Sequence, residues 1–393
     1  SQPTAEWIEA MRGRYAVERT VDRALTSKLQ RRSTARPVIA DLGELKSMLE
    51  AFLAKRIDGP FTLRNVRPLT GGASKEQFAF ELDWTCNGEK RVGERMVLRR
   101  EQAESIVEAD RLREYQLVAA MDGVVPVPTA YWLDDTGEEL VRPALVYGFV
   151  DGVQKPSAGS SKVTGIGISF NEEYRAALGP QFIEQLARIH NFDSSRGDLS
   201  AFDIPRAGTT DDIDWQLNWW ARVWQEDRLE DVPLISVAEQ WLRAHRKPLD
   251  HVSLVHADYR TGNFLFNEDT KRITAILDWE LGYFGDRHFD LAWVIMPVFT
   301  TQDENGQPLY SSLFRRDEFL RDYEGASGLK VDEERLTYYT IFAYWKSVVM
   351  CLGSGPRAAN GLKTHQDVVL SWFSGISYPL LESLRQIMND VAR

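Results

Sequence analysis

The spacing of apolar positions divides the chain into a part rich in strands, followed by a part rich in helices. Alternating apolar residues predict antiparallel strands at 61–69, 76–84 and 94–100. Asn87-Gly88 lies between the last two and predicts a tight hairpin. A helix is predicted over 105–121 from its apolar spacing. Three further strands are expected at 131–133, 140–141 and 144–147, the first two as a second hairpin.

After Asp151 the pattern changes to that of long helices, predicted near 172–191, 211–227, 235–246, 316–324, 333–353 and 363–391. An island of strand-like segments interrupts them at 252–278. Helical spacing also recurs near the start of the chain. The patterns indicate an α+β fold with three regions: a helical extension at 1–55, a lobe built on an antiparallel sheet at 56–150, and a larger, mainly helical lobe at 151–393.

Composition narrows the class of protein. The apolar fraction of 43% is that of a globular protein with a sizeable core, and the formal net charge of −11 argues against a nucleic-acid partner. The sequence shows no signal-peptide profile and no uninterrupted apolar stretch of membrane-spanning length. The two cysteines lie far apart in the sequence, which favours two reduced thiols over a disulfide. We therefore expect a cytoplasmic protein without a membrane partner, either a monomer or a homodimer.

The island at 252–278 carries the strongest chemical signal. A polar turn between two apolar segments presents Asp258 and, five residues later, Asn263, and a third apolar segment ends at Asp278. Phosphoryl transfer to an alcohol needs a carboxylate that orients the hydroxyl and accepts its proton, and oxygen ligands that hold Mg²⁺ on the phosphates. The order of these residues predicts Asp258 as the base and Asn263 and Asp278 as metal ligands. A hydrolytic metal site is an alternative, but no further histidine cluster supports it.

Three blocks in this order resemble the aminoglycoside-phosphotransferase-like family of the kinase superfamily. They are His256-x-Asp258-x-x-x-x-Asn263, then Leu277-Asp278-Trp279-Glu280, then Gly285-Asp286-x-x-x-Asp290-Leu291-Ala292. The resemblance runs from about residue 60 to 385 and is closest to the branch that includes the kinase-like domain preceding some acyl-CoA dehydrogenases. It implies a bilobal protein-kinase-like fold that uses ATP, with GTP left open, and Mg²⁺. We expect His256 to steady the turn, and Asp286 and Asp290 to cap a helix or brace the turn.

The resemblance also implies a nucleotide site in the first lobe. Gly71, Gly72 and Ser74 form a strand–turn–strand loop suited to cover phosphates, although a plain hairpin would look the same. Arg99 fits the strand-borne cation and Glu114 its helical partner, with Arg100 and Glu108 as the alternatives in another register. Three residues are expected at the hinge beside the purine: Tyr147, Phe149 and Val150.

The acceptor is expected to be a small molecule with a hydroxyl group. Asp286 follows Asp278 almost at once, and the sequence has neither a long activation segment nor an Ala-Pro-Glu anchor. The candidates are a hydroxylated metabolite, a hydroxyacyl thioester or an antibiotic. Four tryptophans could line the acceptor pocket or belong to the core: Trp215, Trp219, Trp220 and Trp224. The alternative function is a catalytically retired kinase-like protein that binds nucleotide or a regulatory partner.

Overall fold

A computed structural model describes residues 3–32, 41–69, 75–102, 105–157, 168–359 and 365–392. The first part of the chain forms four helices and five strands. In chain order these are α1 (Ala5–Arg14), α2 (Arg19–Arg32), α3 (Leu42–Ala54), β1 (Thr62–Pro68), β2 (Glu76–Cys86), β3 (Glu89–Arg100), α4 (Arg111–Met121), β4 (Ala130–Asp134) and β5 (Ala144–Gly148).

The five strands form one antiparallel sheet in the order β1-β2-β3-β5-β4, which confirms the predicted sheet lobe. The hairpin between β2 and β3 turns at Asn87 and Gly88, both with positive φ, as the sequence predicted. The helix predicted over 105–121 begins later, because Asp110 caps α4 by accepting a hydrogen bond from the backbone of Leu112.

The second predicted hairpin is wrong. β4 pairs with β5, and residues 140–141 form no strand. The Asp134 carboxylate accepts hydrogen bonds from the backbone of Gly137, Glu139 and Leu140, so it folds this segment into a compact loop. Val141 then takes a left-handed conformation, with φ of 68°, which a strand does not allow.

The two faces of the sheet pack against different partners. One face buries Phe80, Leu82, Met96 and Leu98 with the apolar residues of α3. The other face turns toward α4 and the rest of the molecule. Because side chains alternate along a strand, neighbouring residues of β3 point to opposite faces. That alternation decides which arginine of β3 reaches the cleft between the lobes.

The C-terminal lobe holds eight helices and six short strands within the described residues. They are α5 (Glu172–His190), α6 (Asp211–Asp227), α7 (Pro233–Ala244), β6 (Ser253–Val255), β7 (Phe264–Phe266), β8 (Ile273–Ile276), β9 (Tyr283–Gly285), α8 (His288–Val294), β10 (Thr301–Gln302), β11 (Pro308–Leu309), α9 (Arg316–Ser327), α10 (Glu333–Val349), α11 (Gly355–Ala359) and α12 (His365–Val391). The predicted long helices are present with nearly the same ends. A π-helical turn at 350–354 separates α10 from α11.

The strand island positions the candidate chemistry. β6 pairs with β9, and β7 pairs with β8, so two small ladders flank the turn that carries Asp258. The sequence predicted strands only as far as residue 278 and missed β9, which has three residues and pairs with a segment about thirty positions earlier.

The helices of the N-terminal region divide between the two lobes. Tyr15, Val21 and Leu25 belong to the same apolar cluster as the C-terminal lobe, whereas α3 packs on the sheet. The region boundaries at residues 55 and 150 stay predictions. Within the described part of the chain, no helix combines the length and apolar character that crossing a membrane requires.

Candidate active site

Asp258 lies on the turn between β6 and β7, and both of its carboxylate oxygens accept hydrogen bonds. Oδ2 accepts from Asn263 Nδ2 at 2.6 Å. Oδ1 accepts from Trp293 Nε1 at 2.8 Å and from Arg260 Nε at 3.0 Å. The side chain remains 22% exposed. A carboxylate held from three sides but open to the cleft is oriented well enough to receive a hydroxyl group.

The turn itself is braced from behind. Asp290, in the first turn of α8, accepts hydrogen bonds from the backbone of His256 at 2.7 Å and of Ala257 at 2.8 Å. Ala257 adopts a left-handed conformation, with φ of 66°, which a non-glycine residue keeps only where its surroundings hold it. Asp290 therefore lies in the bracing position that the sequence suggested for it.

His256 connects the turn to the strand that leads to Asp278. Its Nδ1 accepts from the Asp258 backbone at 3.2 Å and its Nε2 donates to the Leu277 carbonyl at 2.9 Å. This pairing requires the neutral tautomer with hydrogen on Nε2. Burial lowers the pKa of His256, which favours the same neutral form. The geometry gives His256 a structural place.

The backbone joins Asn263 to the residue before Asp278, because the Leu277 N–H donates to the Asn263 carbonyl at 2.8 Å. Because Asn263 Nδ2 is used by Asp258, its Oδ1 is the atom left to face a ligand. Asp278 has a left-handed backbone conformation and a side chain that is 31% exposed. One amide and one carboxylate oxygen suit Mg²⁺, which takes few protein ligands and completes its shell with phosphates and water. Within the described residues, no group of three or more His, Cys, Asp or Glu side chains is placed to hold a metal ion.

Arg99 joins the sheet to this site. Its guanidinium contacts Asp278 Oδ1 at 2.6 Å and Glu114 Oε1 at 3.3 Å, and the side chain is only 6% exposed. Burial alone would lower the pKa of Arg99, but the charges of Glu114 and Asp278 outweigh burial and raise it. Arginine therefore stays charged at the base of the cleft.

The alternative register is not the one the structure adopts. Arg100 points to the other face of β3, where its guanidinium pairs with Glu76 at 2.8 Å. Glu108 lies before α4 and pairs with Arg31 of α2 at 2.7 Å. The strand-to-helix ion pair in this protein is therefore Arg99 with Glu114.

Further buried charges surround that pair. Lys75 contacts Glu101 at 2.8 Å and Glu280 at 3.2 Å, and its side chain is fully buried. Arg111 also contacts Glu280, at 3.0 Å. Burial tends to raise the pKa of Glu280, but Lys75, Arg99 and Arg111 lower it to about 2. The sequence pattern assigned no charge-pairing role to Lys75 or Arg111, and the partner that they share, Glu280, lies far along the chain.

The other residues that the sequence predicted at a nucleotide site lie in different surroundings from one another. Tyr147 faces the interior, where its hydroxyl donates to Glu114 Oε1 at 2.9 Å, so it helps to hold that carboxylate. Phe149 and Val150 follow β5 at the junction of the lobes, and the Phe149 backbone donates to the Arg95 carbonyl at 2.9 Å. Their role beside a purine stays a prediction. Gly71, Gly72 and Ser74 lie outside the described residues.

The sequence analysis did not predict a role for a buried lysine near Asp258. Lys346, on α10, donates to the Ala257 carbonyl at 3.3 Å and lies against the rings of Trp220, Phe289 and Trp293. Burial lowers its pKa to about 8. Trp219, Trp220 and Trp224 are buried in the core cluster. Of these, Trp220 also borders the lysine beside the turn.

Part of the chain is similar in sequence to a known protein. Mouse acyl-CoA dehydrogenase family member 10 is 27% identical over 190 residues, which is 48% of this chain but 17% of that protein. The chain thus corresponds to a minor part of that relative.

Two solved structures confirm the predicted bilobal kinase-like fold. A Ralstonia eutropha protein assigned as an aminoglycoside phosphotransferase has a TM-score of 0.60 at 20% identity, over 88% of this chain and 98% of that one. A mutant of aminoglycoside phosphotransferase APH(4)-Ia, in a ternary complex with ADP and hygromycin B, has a TM-score of 0.51 at 17% identity, over 85% and 98% of the two chains. The phosphotransferase enzyme family, APH, matches residues 65–335. With well over half of its length in that match, this chain is a member of the phosphotransferase enzyme family.

Proposed function

We propose that the protein transfers the γ-phosphoryl group of ATP to a hydroxyl group of a small molecule. Two contacts carry this proposal: Asp258 with Asn263, and Asp278 with Arg99. His256 joins them, because it is hydrogen-bonded to the backbone of Asp258 and of Leu277, the residue before Asp278. A proton acceptor, two oxygen ligands and a cation thus lie together at the cleft between the lobes. Together they supply the groups that phosphoryl transfer to an alcohol requires.

In the proposed reaction, Asp258 orients the acceptor hydroxyl and takes its proton as the oxygen bonds to the γ-phosphorus. The bond from that phosphorus to the β–γ bridging oxygen breaks, and ADP leaves. Mg²⁺ held by Asn263 and Asp278 would neutralise charge on the phosphates. Arg99, kept charged and oriented by Glu114, would bind a phosphate oxygen from the sheet side. The work of the protein is then mostly positioning and electrostatic stabilisation.

Support for a nucleotide and a small acceptor comes from the relatives. APH(4)-Ia forms a complex that contains ADP and hygromycin B. Here Asp286 follows Asp278 closely and α8 begins at His288, so the described chain leaves little room for a peptide-binding segment at this point. We propose a small acceptor, either a hydroxylated metabolite, a hydroxyacyl thioester or an antibiotic.

The decisive experiment is a screen of hydroxylated metabolites, hydroxyacyl thioesters and antibiotics with ATP and Mg²⁺. Mass spectrometry should detect an acceptor whose mass increases by one phosphoryl group, with matching release of ADP. The Asp258→Asn variant should form this product much more slowly. Nucleotide binding without a phosphorylated acceptor across the screen would instead favour the retired kinase-like protein.

A further inference from the structure

The segment just before α2 contacts the helix that carries Glu114. The Glu18 carboxylate accepts hydrogen bonds from Arg113 Nη1 at 2.8 Å and Nη2 at 3.0 Å, and both side chains are only 3% exposed. Arg113 immediately precedes Glu114 on α4. A two-pronged bond between buried charges fixes the position of a helix more firmly than a single contact.

The same arginine reaches the segment that follows Asp278. Arg113 Nη2 donates to the Gly282 carbonyl at 3.1 Å. Gly282 itself lies close to α4, because a Cβ atom added there would collide with Leu117 Cδ1. Arg113 therefore connects the N-terminal segment, α4 and the chain just beyond a proposed metal ligand. Glu18 supplies the negative charge that keeps this buried arginine in place.

Two weaker pairs follow along α2. Arg23 contacts Asp110, the residue that caps α4, at 2.6 Å, and Arg31 contacts Glu108 at 2.7 Å. Both arginine side chains are more than 40% exposed, so solvent screens these pairs and each contributes little alone. Their positions nevertheless set α2 along the N-terminal end of α4.

The opposite side of α2 is attached to the C-terminal lobe. Lys28, with a side chain only 2% exposed, contacts Glu226 at 2.5 Å and Asp227 at 3.3 Å near the end of α6. Asp22 contacts Arg222 of the same helix at 2.6 Å. Leu25 is fully buried in the apolar cluster of that lobe. α2 is thus anchored on the larger lobe and holds α4 from there.

We propose that residues 18–31, which we term the brace, position α4 for nucleotide binding, with Glu18 as the positioning residue. The brace acts through Arg113 on the neighbouring Glu114, and so on the 3.3 Å contact between Glu114 and Arg99. This inference rests on the proposed function, because it assigns Arg99 to the phosphates. A displacement of about 1 Å in such a contact can cost about 10²-fold in activity.

The test is the Glu18→Gln variant, which keeps the shape of the side chain but removes its charge. The Kd for ATP with Mg²⁺ should rise about tenfold or more, since Arg113 loses its charged partner. Amide exchange in α4, followed by mass spectrometry, should become faster. Glu9→Gln is the matched control: Glu9 pairs with Arg12 on α1 and is 67% exposed, so the Kd and exchange should stay at wild-type values.

The two measurements separate the possible failures. If Glu18→Gln lowers the melting temperature but leaves the Kd and α4 exchange unchanged well below melting, Glu18 has only a structural role and the proposal is overturned. If the variant does not fold, Glu18→Asp replaces it: the charge stays, but the shorter side chain cannot keep both bonds to Arg113 in place. A smaller rise in the Kd is then expected, and an unchanged Kd and α4 exchange there also overturns the proposal. A wild-type protein that does not bind ATP refutes the proposed function and, with it, the nucleotide role of the brace.

Discussion

Asn263 donates a 2.6 Å hydrogen bond from its side-chain nitrogen to Oδ2 of Asp258. This bond orients two groups with different proposed tasks. It uses the amide nitrogen of Asn263, so the amide oxygen is the side-chain atom left for a ligand. It also means that a residue at position 258 must accept hydrogen bonds through both side-chain atoms, one from Asn263 and one from Trp293. The proposed base and one proposed metal ligand are therefore held by the same hydrogen bond.

Asp258→Asn should lower kcat strongly while the protein remains folded. An amide cannot take the hydroxyl proton, and a general base typically contributes about 10²–10⁴-fold. Because the transition state of phosphoryl transfer is largely dissociative, we expect the lower end of that range. The amide also cannot offer acceptors to both Asn263 and Trp293. The Mg²⁺ concentration for half-maximal activity should therefore rise as well.

The measurement is kcat with the acceptor found in the screen, beside ATP affinity and the melting temperature. Asp269→Asn, an exposed acid on the β7–β8 turn, is the control and should behave as wild type. A wild-type kcat for Asp258→Asn would refute the assignment of the base. Complete loss of ATP binding would give this residue a structural role.

Asp278→Ala should abolish Mg²⁺-dependent turnover, because only Asn263 would remain of the proposed metal ligands. Arg99 keeps its contact with Glu114, so the fold should survive. A Mg²⁺ titration of activity, with circular dichroism as a check on folding, tests this expectation. Full activity at ordinary Mg²⁺ concentrations would contradict the kinase mechanism.

Arg99→Met and Arg100→Met should separate nucleotide binding from stability. Loss of Arg99 should raise the Kd for ATP, because the cation at the cleft disappears. Loss of Arg100 should leave that Kd unchanged and lower stability by less than the about 3–5 kcal/mol typical of a broken buried pair. The cost is reduced because Arg142 also contacts Glu76, at 3.0 Å.

Nucleotide titration and chemical denaturation of both variants provide the measurement. A rise in the Kd only for Arg100→Met would mean that Arg100, and not Arg99, binds the phosphate. Equal rises for both would point to a general weakening of the sheet.

The stability of the protein should depend on Asp212 between about pH 4 and 7. Burial, and then the charge of Asp286, raise the pKa of Asp212 to about 7 from 3.8. The folded state therefore binds more protons than the unfolded state between these values. The stabilisation that Asp212 contributes is fully present below pH 3.8 and is lost as the pH rises through 7. The free energy of unfolding falls over this range by at most about 1.4 kcal/mol per pH unit.

Asp212→Asn should remove this part of the pH dependence, because an amide does not titrate. The fold should survive, since the amide oxygen can still accept the hydrogen bond that Asp286 donates from its backbone. Denaturant unfolding at several pH values compares the slopes. Asp211→Asn, one residue earlier on α6, should keep the wild-type slope. Identical slopes for wild type and Asp212→Asn would show that the carboxylate does not titrate in this range.

Local spacing accounts for most of what the sequence predicted. Asp258 and Asn263 share one turn, so their proximity follows from a short stretch of chain. The choice between Arg99 and Arg100 needed the exact phase of β3, which the pairing with β2 and β5 fixes. Sequence spacing alone places both arginines on the same strand but does not determine which face of the sheet each one occupies.

The spacing of residues in the sequence could not predict contacts between distant parts of the chain. Lys346 reaches the turn from α10, nearly ninety residues later, and no spacing connects the two. Trp293 offered a weak signal, because it follows Asp290 by three residues and so lies on the same face of α8. Asp134 caps a loop with its carboxylate, which apolar periodicity does not register.

The adjacent arginines of β3 also constrain how the sheet can assemble. A slip of β3 by one position against its neighbours would carry Arg99 to the face that holds Leu98 and would separate it from Glu114. The slip would take Arg100 away from Glu76 in the same step. Each such slip would leave at least one buried guanidinium group without its native carboxylate, at a cost of several kcal/mol for that charge. The arginine pair thereby disfavours misaligned folding intermediates of the sheet and protects its native register.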